Sequence, residues 1–313
     1  QPSASKQNRR SVSPTGRPAS LNLEEAKRRM AGTYAFIAFL GCAIIIALRH
    51  AHEEGKLALA TALPPPAPGW LLLFRVLSLA IILGVDVHIF LAPPMMLAGT
   101  TRFGEIKTIP LRGIVRFTTF TVWAWNIQGA YFAATLALSL LPHSSLPWWL
   151  PAAARLALEV SLPLAMLVTS IVTHALYPMA IKRGTDPAIL FKPGALLMHN
   201  ANLVMMLVEL FAPGAFTLHA WHALVTALLG LIYVVFANLN ERFGIGAFYY
   251  PFLAPGKRFA IAAHAGLVLV LVVCGLCMAG LQYLYLHVHG VGAVGLTAAL
   301  TSQLIMLRRP KKH

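Results

Sequence analysis

Residues 259–281 read FAIAAHAGLVLVLVVCGLCMAGL, a run of 23 positions without any Asp, Glu, Lys or Arg. A helix that spans a membrane needs about 20 mostly apolar residues. Seven further apolar segments lie near 31–48, 70–92, 117–140, 157–178, 195–211, 216–238 and 288–307. The ten-residue alternating strands of a membrane barrel do not occur in the sequence. The pattern therefore predicts an all-α, polytopic membrane bundle of about eight spans.

The composition of the 313-residue chain excludes other classes of protein. Hydrophobic residues make up 58% and charged residues 11%, against about 45–50% and about 25% in soluble domains. The three cysteines (Cys42, Cys274 and Cys277) all lie in apolar runs and form no disulfide framework or metal-knuckle spacing. The net charge is +15, but Lys and Arg are spread over short loops and termini, as membrane topology requires. We therefore expect no nucleic-acid partner.

The distribution of positive charge predicts the topology. With eight spans, the segments on one side hold seven, four, three, three and four Lys or Arg residues, and those on the other side hold two, one and none. By the positive-inside rule, both termini are then cytoplasmic. We expect a disordered basic tail at 1–30, one transmembrane domain at 31–308 and a basic tail at 309–313. Such a protein would reside in the endoplasmic reticulum or plasma membrane, in an oligomeric state that the sequence does not specify.

Polar side chains in the predicted spans fall into two layers. Ionisable groups are expensive in hydrocarbon, so they usually face the bundle interior and indicate a site. The layer near the cytoplasmic end contains Asp86, His88, Thr121, His174, Tyr177 and His199. Helical periodicity adds two stripes, which are Thr118-Thr121-Trp125-Gln128 and His199-Asn202-Met206-Glu209. We expect both stripes to face one interior cavity.

The second layer lies near the opposite end and contains Arg75, Glu159, Glu209, His219 and His222. A buried Arg beside carboxylates is most simply a structural ion pair, so we expect Arg75 to pair with Glu209 or Glu159. His219 and His222 have a spacing that suits a metal ion only if other helices supply ligands. We therefore expect neither a metal nor a cofactor.

The segment 242–256 (RFGIGAFYYPFLAPG) is aromatic and apolar, yet it is interrupted by Gly and Pro. Irregular backbone at membrane depth is tolerated only where it is buried in protein or lines a cavity. The alternative is an aromatic belt at the headgroups. The sequence leaves both interpretations open.

Four stretches resemble the androgen-induced-gene family of intramembrane threonine hydrolases and its rolling-stone-like relatives. They are Phe120-Thr-Val-Trp-Ala-Trp-Asn-Ile-Gln-Gly-Ala-Tyr-Phe132, Ala175-Leu-Tyr-Pro178, Met198-His-Asn-Ala-Asn-Leu-Val-Met-Met-Leu-Val-Glu209 and Tyr249-Tyr-Pro-Phe-Leu253. The resemblance implies a six-helix core that hydrolyses esters of hydroxy fatty acids. It assigns the nucleophile to Thr121 and the base to His199, with Thr119 as the nucleophile if the register slips by two residues. The sequence His199-Asn-Ala-Asn202 is closer to the rolling-stone-like branch.

The chemistry agrees with this assignment. A Thr hydroxyl needs an adjacent base, and His199 would take its proton and return it to the leaving alcohol. Asp86 would orient the imidazole, and Asn202, Gln128 or free backbone N–H groups would stabilise the oxyanion. The lipid substrate would lie along Trp123, Trp125, Tyr177, Tyr250, Pro251 and Phe252.

Two other functions stay open at this point. One is a non-catalytic membrane scaffold or adhesion protein of the rolling-stone-like type. The other is a transmembrane b-type cytochrome, which would bind haem through two of His88, His174, His199 and His264.

Overall fold

The computed structural model describes residues 23–55, 67–182 and 187–306. Eight helices of 15 residues or more occur in this part of the chain. They are α1 (Leu23–Glu53), α2 (Gly69–Leu91), α3 (Phe120–Leu140), α4 (Leu150–Lys182), α5 (Pro193–Phe211), α6 (Ala220–Phe243), α7 (Ala260–His287) and α8 (Gly290–Leu304). Each of the eight predicted apolar segments corresponds to one helix, which confirms the all-α membrane bundle.

The helices differ in how well they suit a membrane. Within the described ranges, six of them are long and apolar enough to cross a membrane. Helix α3 has 21 residues but is less apolar, because it carries Trp, Tyr, Asn and Gln side chains. Helix α8 has 15 residues, which is about 22 Å of helix against a hydrocarbon core of about 30 Å.

Two helix boundaries correct the sequence analysis. Helix α1 begins at Leu23, so residues 23–30 are helical and do not belong to a disordered tail. Glu24 and Glu25 lie in its first turn and pair with Lys27 and Arg29, an arrangement that suits a helix N-terminus. The rest of the predicted tails, residues 1–22 and 309–313, lies outside the described residues. Helix α4 begins at Leu150, so Arg155 is buried in a helix instead of lying in a loop.

A β-hairpin in the connection between α2 and α3 was not foreseen. Strands β1 (Met95–Thr100) and β2 (Ile106–Leu111) pair antiparallel. The aromatic loop between α6 and α7 joins the hairpin, because Thr100 and Phe248 exchange two backbone hydrogen bonds of 2.9 and 2.7 Å. A Cβ at Gly99 would meet the carbonyl oxygen of Phe248 at 3.0 Å, so the close approach requires glycine. Hairpin and loop together form what we call the cap. The loop is thus packed against protein, which is the condition for irregular backbone at membrane depth.

The cap covers one end of the bundle, which we call the capped end; the opposite end is the far end. Near the start of α1, Thr33 donates to the carbonyl of Pro255 in the cap (3.1 Å). Thr173, near the end of α4, donates to the carbonyl of Leu304 at the end of α8. The two ends of the described chain therefore lie at the same end of the bundle. The assignment of that end to the cytoplasm stays a prediction.

Candidate functional site

A small cavity of about 30 Å³ lies at the capped end. Its polar lining consists of Thr121, Tyr233 and Tyr250. The other lining residues are apolar and come from α3, α4, α7 and the cap: Phe120, Val168, Ile171, Val172, Leu176, Phe252, Leu253 and Leu267. An apolar lining with a few convergent hydroxyl groups has the chemistry of a ligand site, but the cavity is far smaller than the roughly 300–1,000 Å³ of such sites.

The three candidate threonines have different surroundings. Thr119 precedes α3 and donates to the carbonyl of Arg116 (3.0 Å). Thr118 lies 2.6 Å from the Tyr249 hydroxyl, and both hydroxyls lie within 3.1 Å of the carbonyl of Val115. Each hydroxyl has one proton to donate, so one of the two hydroxyls donates to the Val115 carbonyl and the other donates to its neighbouring hydroxyl. Thr118 and Thr119 are thus held by local bonds, and of the three only Thr121 lines the cavity.

Tyr250 of the cap lies directly against Thr121. Its phenol oxygen lies close to the Thr121 hydroxyl and to backbone groups of Phe120 and Thr121 at the start of α3. The first N–H groups of a helix have no partner within the helix and form a ready site for an oxygen atom. Burial raises the pKa of Tyr250, so its phenol is neutral near pH 7 and has a proton to donate.

His199 lies on α5 within a π-helical turn, Leu197–Ala201. Its Nδ1 atom is buried and has no hydrogen-bond partner in the described parts of the chain. No hydrogen bond joins His199 to Thr121, and His199 is not among the residues that line the cavity. The pairing of these residues stays a prediction, since catalytic hydrogen bonds are often longer in empty sites.

A second π-helical turn, Val172–Leu176, occurs in α4, and its first and last residues line the cavity. Pro178 lies two residues after this turn and has no N–H to donate to the carbonyl of His174, four residues back. Such turns inside α-helices are frequent at functional sites. The sequence analysis missed both turns, and only Pro178 gave a local signal for one of them.

The residues predicted to support the catalytic pair bond to other partners. Asp86 lies near Asn126 of α3, whose side-chain amide donates to the carbonyl of Val122 (2.9 Å), and the buried Oδ1 atom of Asp86 has no partner among the described residues. Gln128 donates to the backbone carbonyl of Asn202 (3.4 Å), so the two predicted stripes do meet. The side-chain oxygen of Asn202 accepts from Thr169 (3.3 Å) and from the N–H of Leu203 (2.7 Å).

The predicted pocket residues are dispersed. Tyr250 and Phe252 line the cavity. Trp123 packs against Tyr233 and Phe236 and also borders a surface groove with Phe117, Asn126 and Ile127. The remaining members lie elsewhere: Trp125 is buried and donates to the carbonyl of Ile82 (3.4 Å), Tyr177 packs on Phe191, and Pro251 starts a short turn of the cap.

At the far end, buried charges are paired. The guanidinium of Arg75 makes two bonds with the Glu209 carboxylate (2.9 and 2.8 Å), and the Tyr131 hydroxyl donates to the same carboxylate (2.5 Å). Glu209 is completely buried and Arg75 nearly so. The first of the two partners expected for Arg75 is confirmed.

A second buried cluster surrounds Glu159. Arg155 lies 3.2 Å from one carboxylate oxygen and also donates to the carbonyl of Thr217 (2.9 Å). His222 contacts the other carboxylate oxygen through Nδ1. His219 stands with its ring centre 5.6 Å from that of His222. Within the described ranges, no group of three or more His, Cys, Asp or Glu residues is arranged to hold a metal ion.

Comparisons of this chain with family models, curated proteins and solved structures find no match. The fold and the cavity therefore define the class, a helical multi-pass membrane protein with a small hydroxyl-lined chamber at one end.

Proposed function

We propose that the protein is an intramembrane hydrolase of lipid esters, with Thr121 as the nucleophile and His199 as the base. The observation that carries the proposal is the position of Thr121, whose hydroxyl lines an apolar cavity while Thr118 and Thr119 are engaged in local bonds. Two π-helical turns support it, because they lie in or beside the Tyr-Pro and His stretches that resemble the threonine hydrolases.

The start of α3 and Tyr250 supply the remaining chemistry of the proposal. In the reaction, His199 removes the Thr121 proton as the hydroxyl oxygen attacks the ester carbonyl, and it then protonates the leaving alcohol. A water molecule, deprotonated by His199, next attacks the acyl group on Thr121, which releases the fatty acid and returns the proton to the Thr121 oxygen. In this structure, the phenol oxygen of Tyr250 lies against the backbone groups of Phe120 and Thr121. When a substrate carbonyl takes that place, these groups stabilise the oxyanion. They replace Asn202 and Gln128, which are bonded elsewhere.

Substrate entry requires a change at the cap. A volume of about 30 Å³ holds about one water molecule, so an acyl chain enters only if a lining side chain moves. Phe252 is the exposed member of the lining, with 38% of its surface accessible. Its displacement would open the cavity sideways towards the lipid.

The second candidate function is a non-catalytic membrane scaffold. The small cavity volume and the absence of a bond between His199 and Thr121 favour this alternative. A b-type cytochrome is the least supported of the three. It would reveal itself by the haem absorption of the purified protein.

The test is covalent labelling of the purified full-length protein in detergent with a lipid-like fluorophosphonate. We expect labelling of the wild type and of Thr121→Ser, and loss of labelling in Thr121→Ala and His199→Gln. Thr297→Ala is the matched control, because Thr297 is another helical threonine and its hydroxyl donates within α8, to the carbonyl of Ala293. Equal labelling of Thr121→Ala and the wild type would exclude Thr121 as nucleophile. A wild type that neither reacts nor hydrolyses hydroxy-fatty-acid esters would favour the scaffold.

A further inference from the structure

The dipeptide Arg-Phe occurs four times in the chain, and all four copies lie at the capped end. They are Arg102-Phe103 in the hairpin turn, Arg116-Phe117 before α3, Arg242-Phe243 at the end of α6 and Arg258-Phe259 just before α7. They come from segments that are far apart in sequence. The fold thus collects four guanidinium groups and four phenyl rings at one level of the bundle.

Two of the four arginines have structural partners. Arg102 pairs with the buried carboxylate of Glu241, with 3.1 Å between Nε and Oε1. The hydrogen bond with Glu241 is the main cause that raises the pKa of Arg102. Arg116 donates to the carbonyls of Leu111, Ile89 and Pro93, which fastens the hairpin to the end of α2. These two guanidinium groups hold the cap together and are not free to bind a ligand.

The other two arginines are exposed and make no ion pair with the described residues. The guanidinium carbon of Arg242 lies 5.2 Å from the centre of the Phe243 ring, and that of Arg258 lies 5.4 Å from the centre of the Phe259 ring. Both rings are strongly exposed, at 75% and 71%. Each pair therefore presents a cation and a large apolar ring together, a combination that suits the boundary between headgroups and acyl chains.

The Arg102–Glu241 pair brings the two exposed Arg-Phe pairs to one region. Glu241 directly precedes Arg242, and the carbonyl of Arg102 accepts from the N–H of Gly256 (3.2 Å), two residues before Arg258. The surrounding surface is positive, because Lys107 and Arg112 are also exposed whereas the carboxylate of Glu241 is already neutralised. Glu105 is the exposed acid of the hairpin.

We propose that Arg242-Phe243 and Arg258-Phe259 form a binding site for the phosphate of an anionic phospholipid. The guanidinium group binds phosphate oxygens with two parallel hydrogen bonds, and the phenyl rings enter the interfacial layer. Charge complementarity favours an anionic lipid, and the exposed rings favour a lipid headgroup over free phosphate. This site is separate from the Thr121 cavity and does not depend on hydrolysis.

The test measures binding of a fluorescent phosphatidylglycerol to the full-length protein in a neutral detergent. We expect Arg242→Gln with Arg258→Gln to weaken binding about tenfold, and phosphatidylcholine to compete poorly. The matched control, Lys107→Gln with Arg112→Gln, removes the same charge from the same end of the bundle and should weaken binding less than twofold. Phe243→Leu with Phe259→Leu keeps the charge and should weaken binding severalfold. All variants change exposed side chains, and unchanged melting temperatures would establish that they fold.

Three results would overturn the proposal. Equal weakening in the control would indicate diffuse attraction to positive charge. Competition by inorganic phosphate as effective as that of the lipid would assign the site to a free anion. Equal affinity for phosphatidylcholine, whose headgroup has no net charge, would show that the site does not select anionic lipids.

Discussion

The two ends of the bundle treat their buried polar groups differently. At the far end, Glu209 is bonded by Arg75 and Tyr131, and Glu159 contacts Arg155 and His222. At the capped end, the Asp86 carboxylate forms no ion pair with the described residues, and Nδ1 of His199 is buried without a partner among them. Nε2 of His222 is also buried without a hydrogen bond at the far end, but that ring contacts the Glu159 carboxylate. A buried polar atom that forms no hydrogen bond costs stability and needs an explanation. The buried carboxylates of the far end are thus paired with cationic side chains, which supports folding. The capped end retains a carboxylate and an imidazole without an ionic partner among the described residues, which a function would explain.

The largest effect should come from breaking the ion pair of the far end. Arg75→Met leaves the carboxylate of Glu209 buried with only Tyr131, and loss of one partner of a buried pair destabilises by roughly 3–5 kcal/mol. Arg75→Met with Glu209→Leu should recover part of this loss, because no buried charge then remains unpaired. Denaturant unfolding in detergent measures both variants. A single variant as stable as the wild type would show that Arg75 is not structural.

A second prediction compares one histidine from each end. His222→Leu removes a contact to the Glu159 carboxylate and should destabilise by about 1–3 kcal/mol. His199→Leu removes no hydrogen bond with the described residues and should change stability by less than about 0.5 kcal/mol, or increase it. The same unfolding measurement serves for both. Equal destabilisation by the two variants would remove the contrast between the ends.

The third prediction tests the pair of hydroxyl groups, Thr118 and Tyr249, that joins the loop of the cap to the segment before α3. Tyr249→Phe removes the bonds to Thr118 and to the carbonyl of Val115, so we expect a loss of about 1 kcal/mol. Tyr285→Phe is the control, since Tyr285 packs edge-on against Phe211 through its ring. If both variants lose the same stability, the hydroxyl bonds at the capped end contribute nothing beyond ring packing.

The smallest effect should be the pH dependence due to His219. Burial, and then the nearby charge of Arg155, lower the pKa of His219 below 6.5. The unfolded chain therefore takes up the proton first as the pH falls through 6.5, and the stability of the folded state decreases in that range. Melting temperatures between pH 5 and pH 8 should fall less steeply on acidification for His219→Gln than for the wild type. Identical slopes would show that His219 titrates normally in the folded protein.

Parts of the site were predictable because hydrocarbon penalises unpaired charge. The need of Arg75 for a carboxylate partner followed from its position in an apolar run, but Glu209 and Glu159 were equal candidates until the helices were packed. The helical position of Arg155 was not predicted, because the start of α4 lies in a segment rich in Pro and Trp, which reads as a loop. The hairpin was missed because its strands are short, contain Pro110 and depend on pairing with Phe248, far along the chain.

The class of the protein and the order of its helices were predictable without the structure, because a run of about 20 apolar residues acquires its helical structure and membrane preference locally. The gathering of polar groups in two layers was predictable as well, since depth follows from position within a span. Helix packing placed Thr121 beside Tyr250 and Asp86 near Asn126, and it left His199 without a hydrogen-bond partner among the described residues. Such contacts depend on how each helix is rotated against neighbours that are distant in sequence, and local periodicity does not encode that rotation.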